Sequence, residues 1–345
     1  MKTFNIVTFG CRTNQAESRV IGEQLSKLAM KQCSNETIAD LVIINSCAIT
    51  QKAEKEVNQF IRRVKRENPK CLLVITGCFN EKSGFKIYDL RIKNKKNIAE
   101  KIKKKFSNIT IKQSSNIFYK DKYSKSGKAI VKIQDGCNNF CTYCIVPYLR
   151  GRSVSRPINE IIKEIKELEI RGIKEIILTG IDIADYQNLV GLLTEILQKT
   201  KTNISFGSVN INAFTPEFID LIKKNPRITK HFHIPLQSGC ERTLKRMKRK
   251  YTFKNFQFSI FNFQKKIPEF TFSTDIIVGF PGETDEEFKE SLRSLRSLRN
   301  LITKLHVFRY SPREETVAAK MENKWGKVDF EIKKQRALKI KELDF

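Results

Sequence analysis

The sequence predicts an α/β protein in which an N-terminal open parallel sheet is followed by a partial, open parallel barrel of six βα units. Two observations carry this prediction. Short apolar runs alternate with amphipathic helical stretches along most of the chain, and a segment rich in Lys and Asn interrupts them once, between Glu81 and Ser126. A chain of 345 residues is also too long for one ordinary core. The predicted domains are residues 1–125, residues 126–325 and a basic terminal helix at 326–345.

The three strands of the first domain share an unusual end. Each is a mostly apolar run of seven residues that stops on a cysteine, and these cysteines are Cys11, Cys47 and Cys78. The βαβαβ order is typical of a parallel sheet with right-handed crossovers, whose strands end along one edge. We therefore expect the three thiols to converge in space. The intervening helices are predicted at 14–29 and 54–67.

Three thiolates at a sheet edge favour an iron–sulfur site. The alternative is that the three cysteines act as small buried apolar side chains, a common role for free Cys. Their position after the strands, rather than inside them, favours the first interpretation. Cys33 and Cys71 lack this placement and are interpreted as structural. Zinc is disfavoured because the sequence holds three histidines, none of them close to a cysteine pair.

Composition restricts the compartment and the partner. No apolar run approaches the roughly 20 residues of a membrane helix, and the N-terminus does not resemble a signal peptide, so we expect a cytoplasmic protein with no membrane partner. Nine cysteines in a reducing compartment indicate metal binding or catalysis rather than disulfides. Lys and Arg total 65 against 37 Asp and Glu, and this net charge of +28 favours nucleic acid as a partner. The alternative is a basic bias spread over a solvated surface.

The second domain repeats strands and helices at the length of βα units, and chemistry in parallel barrels lies on the loops at the C-terminal strand ends. The loop after its first strand reads "DGCNNFCTYC", with Cys137, Cys141 and Cys144 in a C-x3-C-x2-C spacing. Three thiolates hold three irons of a [4Fe–4S] cubane and leave the fourth open to the amino and carboxylate groups of S-adenosylmethionine (SAM). One electron then releases a 5′-deoxyadenosyl radical, chemistry that belongs to the cofactor. The barrel strands are predicted at 129–135, 175–180, 204–210, 231–239, 270–280 and 304–310.

On these residues the sequence resembles the radical SAM methylthiotransferases. The resemblance rests on the two cysteine trios and on stretches such as "TFGCRTNQAES", "HIPLQSG" and "HVFRYSP", which are most similar to the branch that modifies threonylcarbamoyladenosine in tRNA. It implies a [4Fe–4S] cluster on each trio, SAM as a cofactor, tRNA as the substrate, and an electron-donor protein and a sulfur source as partners. The implied product carries a methylthio group at C2 of N6-threonylcarbamoyladenosine, at position 37 beside the anticodon.

The resemblance implies further contacts with the cofactor at the ends of barrel strands. These residues are Thr179, Gly180, Gln237, Asp275 and Gly279. Tyr143 is expected to lie against the adenine of the cofactor, with ordinary loop packing as the alternative, and Gly279 has a turn as its alternative role. Arg150 and Arg152 follow the cysteine loop and are expected to meet tRNA phosphate, with a solvated salt bridge as the alternative.

Some stretches depart from the family pattern. Cys240 stands where Ser is expected and is interpreted as a loop thiol, and "VNINAFTP" replaces a strand end that usually holds Ser and Glu. Phe345 lies within a basic helix that, in the family, leads into a C-terminal RNA-binding (TRAM) domain, and we expect that domain to be lacking. Three alternatives stay open: a methylthiotransferase for isopentenyladenosine in tRNA, one for a ribosomal protein, and an inactive iron–sulfur protein that still binds RNA.

Overall fold

A computed structural model of the protein describes residues 3–79, 87–93, 95, 97–105 and 126–343. The chain divides into two compact units, Met1–Lys132 and Ile133–Phe345. The predicted boundary at residue 125 and most of the segment rich in Lys and Asn lie outside the described residues.

The first unit is built on a parallel sheet. Its strands are β1 (Thr3–Thr8), β2 (Lys31–Gln32), β3 (Leu41–Ser46), β4 (Leu72–Gly77), β5 (Leu90–Arg91) and β6 (Lys128–Lys132), and its helices are α1 (Arg12–Lys27), α2 (Gln51–Glu67) and α3 (Ile98–Lys105). Strands β2-β1-β3-β4-β5 form one sheet in that order, and every pair in it is parallel. The predicted βαβαβ order is therefore confirmed.

Both faces of this sheet are covered, which explains why its central strands are apolar throughout. Leu41 and Ile43 of β3 pack with α1 and α3 on one face. Val42 and Ile44 alternate with them and pack with α2 on the other face. All six residues of β3 are buried. Their side chains cannot reach solvent, so functional groups must lie at the strand ends.

The second unit holds seven strands, ten α-helices and two 3-10 helices (Ile183–Asp185 and Ile211–Ala213) among its described residues. The strands are β7 (Gln134–Asp135), β8 (Val154–Ser155), β9 (Glu175–Thr179), β10 (Asn203–Phe206), β11 (His231–His233), β12 (Thr271–Val278) and β13 (Ile302–Arg309). The helices are α4 (Val146–Arg150), α5 (Ile158–Ile170), α6 (Leu189–Lys199), α7 (Pro216–Lys224), α8 (Glu241–Arg246), α9 (Phe253–Lys266), α10 (Asp285–Ser297), α11 (Val317–Lys320), α12 (Glu322–Trp325) and α13 (Phe330–Lys341). None of the helices that the structure describes has the length and apolarity to cross a membrane.

The long strands of this unit follow one another in chain order. β9 pairs with β10, β11 with β12 and β12 with β13, all in parallel. A parallel bridge between Ser208 and His233 joins the two sets. The chain enters the unit beside β9, where the Ile133 N–H donates to the Thr179 carbonyl oxygen at 2.8 Å. The predicted fold class, α/β with an open parallel sheet followed by a partial parallel barrel, is confirmed.

The terminal helix α13 packs on β12 and β13. Its Arg336 is buried and pairs with the buried carboxylate of Glu283 at 2.7 Å and with Asp285 at 2.8 Å. Lys333 lies over the ring of Tyr310, with its Nζ atom 5.3 Å from the ring centre. Two basic residues of this helix, Lys333 and Arg336, therefore pack within the second unit.

Candidate functional site

Two of the three strand-end cysteines in the first unit follow a glycine with left-handed backbone. Gly10 has φ +97° and Gly77 has φ +89°. A Cβ atom at Gly10 would lie 2.8 Å from the Sγ atom of Cys47, and one at Gly77 would lie 2.5 Å from the Ser46 carbonyl oxygen. Because only glycine accepts both the backbone angle and this approach, these turns set where Cys11 and Cys78 leave their strands.

Backbone and side-chain hydrogen bonds tie the three strand ends together. The Cys78 N–H donates to the Ser46 carbonyl oxygen at 3.0 Å. The side-chain amide of Asn14 donates to the carbonyl oxygens of Phe9 at 2.8 Å and Ser46 at 2.7 Å, and the Cys11 thiol donates to the Asn14 Oδ1 atom at 3.7 Å. Cys11 and Cys78 are thus held beside Ser46 and Cys47, at one edge of the sheet.

The remaining cysteines of the chain do not join either trio. Cys71 is buried in the core on the α2 face, and Cys33 packs against that core. Cys240 is fully buried just before α8, and its Sγ atom lies 3.2 Å from the Glu290 carboxylate. Cys240 therefore precedes a helix, as a loop residue would, but its side chain lies in the packed interior and not at a loop surface.

The loop that carries Cys137, Cys141 and Cys144 is closed at its base. Strands β7 and β8 pair in antiparallel fashion on either side of it, and the Cys137 N–H donates to the Gly151 carbonyl oxygen at 3.1 Å. Gly136 has φ +70°, and a Cβ atom there would lie 1.9 Å from the Arg152 carbonyl oxygen. A glycine with left-handed backbone thus precedes Cys137, as one precedes Cys11 and Cys78.

Gln134 connects this loop to the end of β9. It is fully buried. Its Oε1 atom accepts from the backbone N–H groups of Ile181 at 2.9 Å and Asp182 at 3.0 Å, while its Nε2 atom donates to the Gly136 carbonyl oxygen at 2.7 Å. A Cβ atom at Gly180 would lie 2.7 Å from the same Oε1 atom. The stretch "LTG" therefore contacts the cysteine loop through Gln134, a residue that the sequence analysis did not select.

The surroundings of Cys137 suit a metal-bound thiolate. The backbone N–H and the side-chain amide of Asn139 both donate to the Cys137 Sγ atom at 3.5 Å, and Asn139 also hydrogen-bonds the Asp182 carboxylate. Burial raises the pKa of the Cys137 thiol and the pKa of Asp182. A buried thiolate needs a positive partner, and N–H donors to its sulfur are a common feature of iron–sulfur ligation. The donor set of the loop therefore fits a [4Fe–4S] cluster.

Contacts around the cysteine loop favour one of the two roles considered for Tyr143 and for Arg150. Tyr143 lies edge-on to Phe280, with 6.4 Å between ring centres, and packs on an apolar cluster, which supports its packing role. The Arg150 side chain is 5% exposed and pairs with Asp135 at 2.9 Å, so the geometry supports a salt bridge rather than a phosphate contact. Arg152 lies over the Phe140 ring, with 4.4 Å between its Cζ atom and the ring centre, and is exposed.

Two of the predicted cofactor residues are explained in part by their own contacts. Gln237 has φ +73°, an uncommon angle for a residue with a side chain, and its backbone bonds β12 at Asp275 and Ile277. A Cβ atom at Gly279 would lie 2.3 Å from the Cγ atom of Lys333. Close packing against Lys333 of α13 is therefore a further reason for glycine at position 279, in addition to the turn.

A half-buried polar cluster joins strands β11, β12 and β13. The Nε2 atom of His233 lies 3.0 Å from an Asp275 oxygen, and its Nδ1 atom lies 2.8 Å from the Ser208 hydroxyl. His306 is opposite Asp275 in the strand register, and the nearest ligand atoms of the three titratable residues lie within 4.8 Å of one another. Burial lowers the pKa of His306. The sequence analysis selected Asp275 but neither histidine. The register between neighbouring strands brings the three residues together, and the sequence pattern does not report that register.

Comparisons with known proteins match both units. The radical SAM superfamily matches residues 131–295, and an uncharacterized protein family, UPF0004, matches residues 3–98. The threonylcarbamoyladenosine tRNA methylthiotransferase MtaB of Chlamydia pneumoniae is 36% identical over 97% of this chain and 81% of that protein. The MtaB protein of Thermotoga maritima is 33% identical over 99% and 82%. The tRNA-2-methylthio-N6-dimethylallyladenosine synthase of Moorella thermoacetica is 32% identical over 99% and 82%.

Solved structures share the fold at low identity. The radical S-adenosylmethionine methyltransferase TsrM from Kitasatospora setae aligns with a TM-score of 0.68 and 13% identity, over 92% of this chain and 77% of that one. The cobalamin-dependent S-adenosylmethionine radical enzyme OxsB aligns with a TM-score of 0.58 and 13% identity, over 98% and 56%. These similarities support the fold alone.

The fold, the cysteine loop and the match to the radical SAM superfamily together define a radical SAM enzyme. Such an enzyme uses SAM and a [4Fe–4S] cluster. Because relatives more than 30% identical cover nearly the whole chain, the assignment goes one level further. The chain belongs to the radical SAM methylthiotransferases.

Proposed function

We propose that this protein installs a methylthio group at C2 of N6-threonylcarbamoyladenosine in tRNA, at position 37 beside the anticodon. The observation that carries the proposal is the pair of cysteine trios, one at the ends of the parallel strands β1, β3 and β4 and the other in the loop after β7. Glycines with left-handed backbone precede Cys11, Cys78 and Cys137. The MtaB names of the relatives support this nucleoside in particular. The protein works in the cytoplasm with an electron-donor protein and a sulfur source.

Each trio has its own task in this proposal. Cys137, Cys141 and Cys144 hold the cluster to which SAM binds, and Cys11, Cys47 and Cys78 hold a second [4Fe–4S] cluster. When bound, these groups supply the reductive cleavage of SAM to a 5′-deoxyadenosyl radical and the sulfur that is transferred. The protein provides the thiolates and the fixed turns, and Gln134 holds the cysteine loop against the end of β9.

Further residues remain proposed contacts of the cofactor. Thr179 is the last residue of β9, and Gly180 follows it beside Gln134. The Gln237 N–H donates to the carbonyl oxygen of Asp275, which lies within β12 and not at the strand end that the sequence predicted. Parallel barrels hold their ligands at the C-terminal ends of their strands. Tyr143 and Gly279 are retained as secondary candidates because packing already accounts for both.

A basic groove on the first unit supports a polyanionic substrate. It has a volume of about 470 Å³ and is lined by five cationic residues together with Leu90 and Ile92. Those cations are Arg91, Lys93, Lys101, Lys104 and Lys105. Clustered Lys and Arg bind a nucleic acid backbone without reading its sequence. We assign this groove, which we call the α3 groove, to the phosphates of tRNA.

The test is a reaction with defined RNA. Reconstituted, reduced protein and SAM are incubated with two anticodon stem-loops that differ only at position 37, one carrying threonylcarbamoyladenosine and the other isopentenyladenosine. Mass spectrometry of the digested nucleosides should show the methylthio product on the first RNA. Product on the second RNA alone assigns the chain to the sister activity, and modification of a ribosomal protein alone rejects tRNA as substrate. SAM cleavage without any transferred sulfur would contradict the proposal as a whole.

A further inference from the structure

Arg249 lies against the cysteine loop and has no carboxylate partner among the residues that the structure describes. Its Nη1 atom donates to the Cys141 Sγ atom at 3.4 Å. Its Nε atom donates to the Tyr251 hydroxyl at 2.9 Å, and its Nη2 atom donates to the Pro235 carbonyl oxygen at 3.5 Å. Each of these acceptors is neutral unless Cys141 is ionised.

Three arginines whose side chains are at most 7% exposed are paired differently. Arg19 pairs with Glu23, Arg150 with Asp135, and Arg336 with Glu283 and Asp285. Removing a cation from water costs free energy, and an opposite charge nearby offsets that cost. Among the described residues Arg249 makes no ion pair with a carboxylate. The Asp182 carboxylate acts on it electrostatically, but the Cys141 sulfur is in direct contact with it, so the thiolates of the loop are its nearest counter-charge.

The Arg249 guanidinium is held in place by a rigid neighbour. It stacks on Tyr251, with 4.7 Å between its Cζ atom and the ring centre. The Tyr251 hydroxyl lies 2.8 Å from the Pro235 carbonyl oxygen and 2.9 Å from that of Leu236. Burial raises the pKa of Tyr251 to about 12, so this hydroxyl stays neutral and donates at neutral pH.

The segment before Arg249 is also tied to the cysteine loop. The Thr142 N–H donates to the Met247 carbonyl oxygen at 3.1 Å, and the Thr142 hydroxyl donates to the Arg246 carbonyl oxygen at 2.8 Å. Lys248 has φ +57° and turns the chain so that Arg249 follows it toward the loop. Backbone bonds therefore fix the distance between the guanidinium and the thiols, and it does not depend on a flexible side chain alone.

We infer that Arg249 is a positioning residue that raises the reduction potential of the cluster held by Cys137, Cys141 and Cys144. The inference rests on the proposed function, which assigns that cluster. Reduction transfers one electron from the electron-donor protein to the cluster and adds one negative charge without a proton. A fixed positive charge in contact with one ligand stabilises the more negative state, and charge near a cluster is one of the terms that set its potential.

The experiment compares midpoint potentials in the full-length holoprotein. The EPR signal that changes on addition of SAM identifies the relevant cluster, and it is titrated without tRNA. Arg249→Gln removes the charge, Arg249→Lys keeps it, and Lys250→Gln removes one charge from an exposed neighbouring position. We expect Arg249→Gln to lower the equilibrium constant for reduction at least about tenfold, which is about 59 mV for one electron. Arg249→Lys and Lys250→Gln should each shift the midpoint potential by less than half of that amount.

Iron content decides the remaining outcomes. If Arg249→Gln fails to hold iron, Arg249→Lys decides: the inference stands when Arg249→Lys holds the wild-type amount of iron and its midpoint shifts by less than half of the expected shift of about 59 mV, and a larger shift overturns it. If both variants lose iron, the residue has a packing role and the inference is wrong. An unchanged midpoint in iron-replete Arg249→Gln also overturns it, while leaving methylthiolation by the wild-type protein intact. A wild-type protein without a SAM-responsive cluster would overturn the proposed function as well.

Discussion

Gly10 lies so close to Cys47 that a Cβ atom at position 10 would stand 2.8 Å from the Cys47 Sγ atom. The two residues come from the ends of neighbouring strands β1 and β3. Contact between a bare backbone and a sulfur atom leaves room for no side chain. The geometry of the first trio therefore depends on a residue that carries no ligand atom.

The substitution Gly10→Ala should consequently cost the protein its second cluster. Its methyl group meets Cys47, and its backbone must hold φ +97°, a left-handed region that costs roughly 1–2 kcal/mol for a residue with a side chain. We expect iron to fall from about eight to about four atoms per protein, with cleavage of SAM retained. Iron analysis and deoxyadenosine assays measure the two effects.

Gly172→Ala is the matched control for this prediction. Gly172 has φ +83° but no atom within 4 Å of an added Cβ, so it carries the backbone strain without the crowding. It should keep its full iron content. Equal iron loss in both variants would show that backbone strain, and not contact with Cys47, is responsible.

Replacing the cysteines themselves separates the two clusters. Cys137→Ala, Cys141→Ala and Cys144→Ala together should remove about half of the iron and abolish deoxyadenosine formation. The same change at Cys11, Cys47 and Cys78 should remove the other half and leave some cleavage of SAM. Zinc in place of iron in the reconstituted wild-type protein would contradict the assignment of both trios.

Breaking the pair between Arg336 and Glu283 should strongly destabilise the second unit. Their side chains are 7% and 2% exposed, so Arg336→Met leaves a buried carboxylate without its cation. Breaking such a pair costs about 3–5 kcal/mol. The single tryptophan, Trp325, packs against Phe280 in this unit. Its fluorescence during urea denaturation therefore measures the loss.

The pH dependence of that loss follows from the sign of the shift. Burial raises the pKa of Glu283 in the folded protein above its unfolded value. Such a group destabilises the fold where it is ionised, and protonation relieves the penalty as the pH falls through the raised pKa. Arg336 lowers this pKa, so its removal raises the pKa further, and the deficit of Arg336→Met should shrink as the pH falls from neutral through the raised pKa. The double variant Arg336→Met, Glu283→Gln should show no such trend, and a deficit independent of pH in the single variant would rule out the buried charge as its cause.

The α3 groove should be visible in the salt dependence of tRNA binding. Lys101, Lys104 and Lys105 are exposed and line it, and each phosphate contact contributes about 0.7 to 0.9 to the log–log slope. Changing all three to Gln should flatten the slope by roughly 2. Lys163, Lys166 and Lys174 are also exposed and give a control with the same change of net charge. Equal slopes for the two triple variants would show a diffuse field rather than a binding surface.

The sequence predicted the parts of the structure that depend on chain order and periodicity. Apolar runs that end on Cys11, Cys47 and Cys78 placed the thiols at one edge, because all parallel strands end on the same side. Helices predicted at 14–29 and 54–67 are observed at Arg12–Lys27 and Gln51–Glu67. The pair "GC" occurs at 10, 77, 136 and 239, and the observed φ angles separate the first three, which precede cysteines of the trios, from Gly239.

Other parts depend on contacts between distant residues, which local patterns do not report. Gln134 and Arg249 contact the cysteine loop through tertiary structure, and the periodicity of apolar residues around them does not predict these contacts. For Arg150 the sequence left a phosphate contact and a salt bridge as alternatives, and it did not report the partner, Asp135, which comes from the other side of the loop. Gly279 was assigned to the cofactor or a turn, whereas its close neighbour, Lys333, comes from a helix 54 positions later in the numbering.

The most direct test of the account measures tRNA from living cells. Nucleosides from a strain that lacks the gene are compared by mass spectrometry with those from the same strain carrying the wild-type gene or the variant without Cys137, Cys141 and Cys144. The account predicts that 2-methylthio-N6-threonylcarbamoyladenosine disappears in the deletion strain, returns with the wild-type gene and stays absent with the variant, while N6-threonylcarbamoyladenosine accumulates. An unchanged amount of the methylthio nucleoside in the deletion strain, or its restoration by the variant, would contradict it.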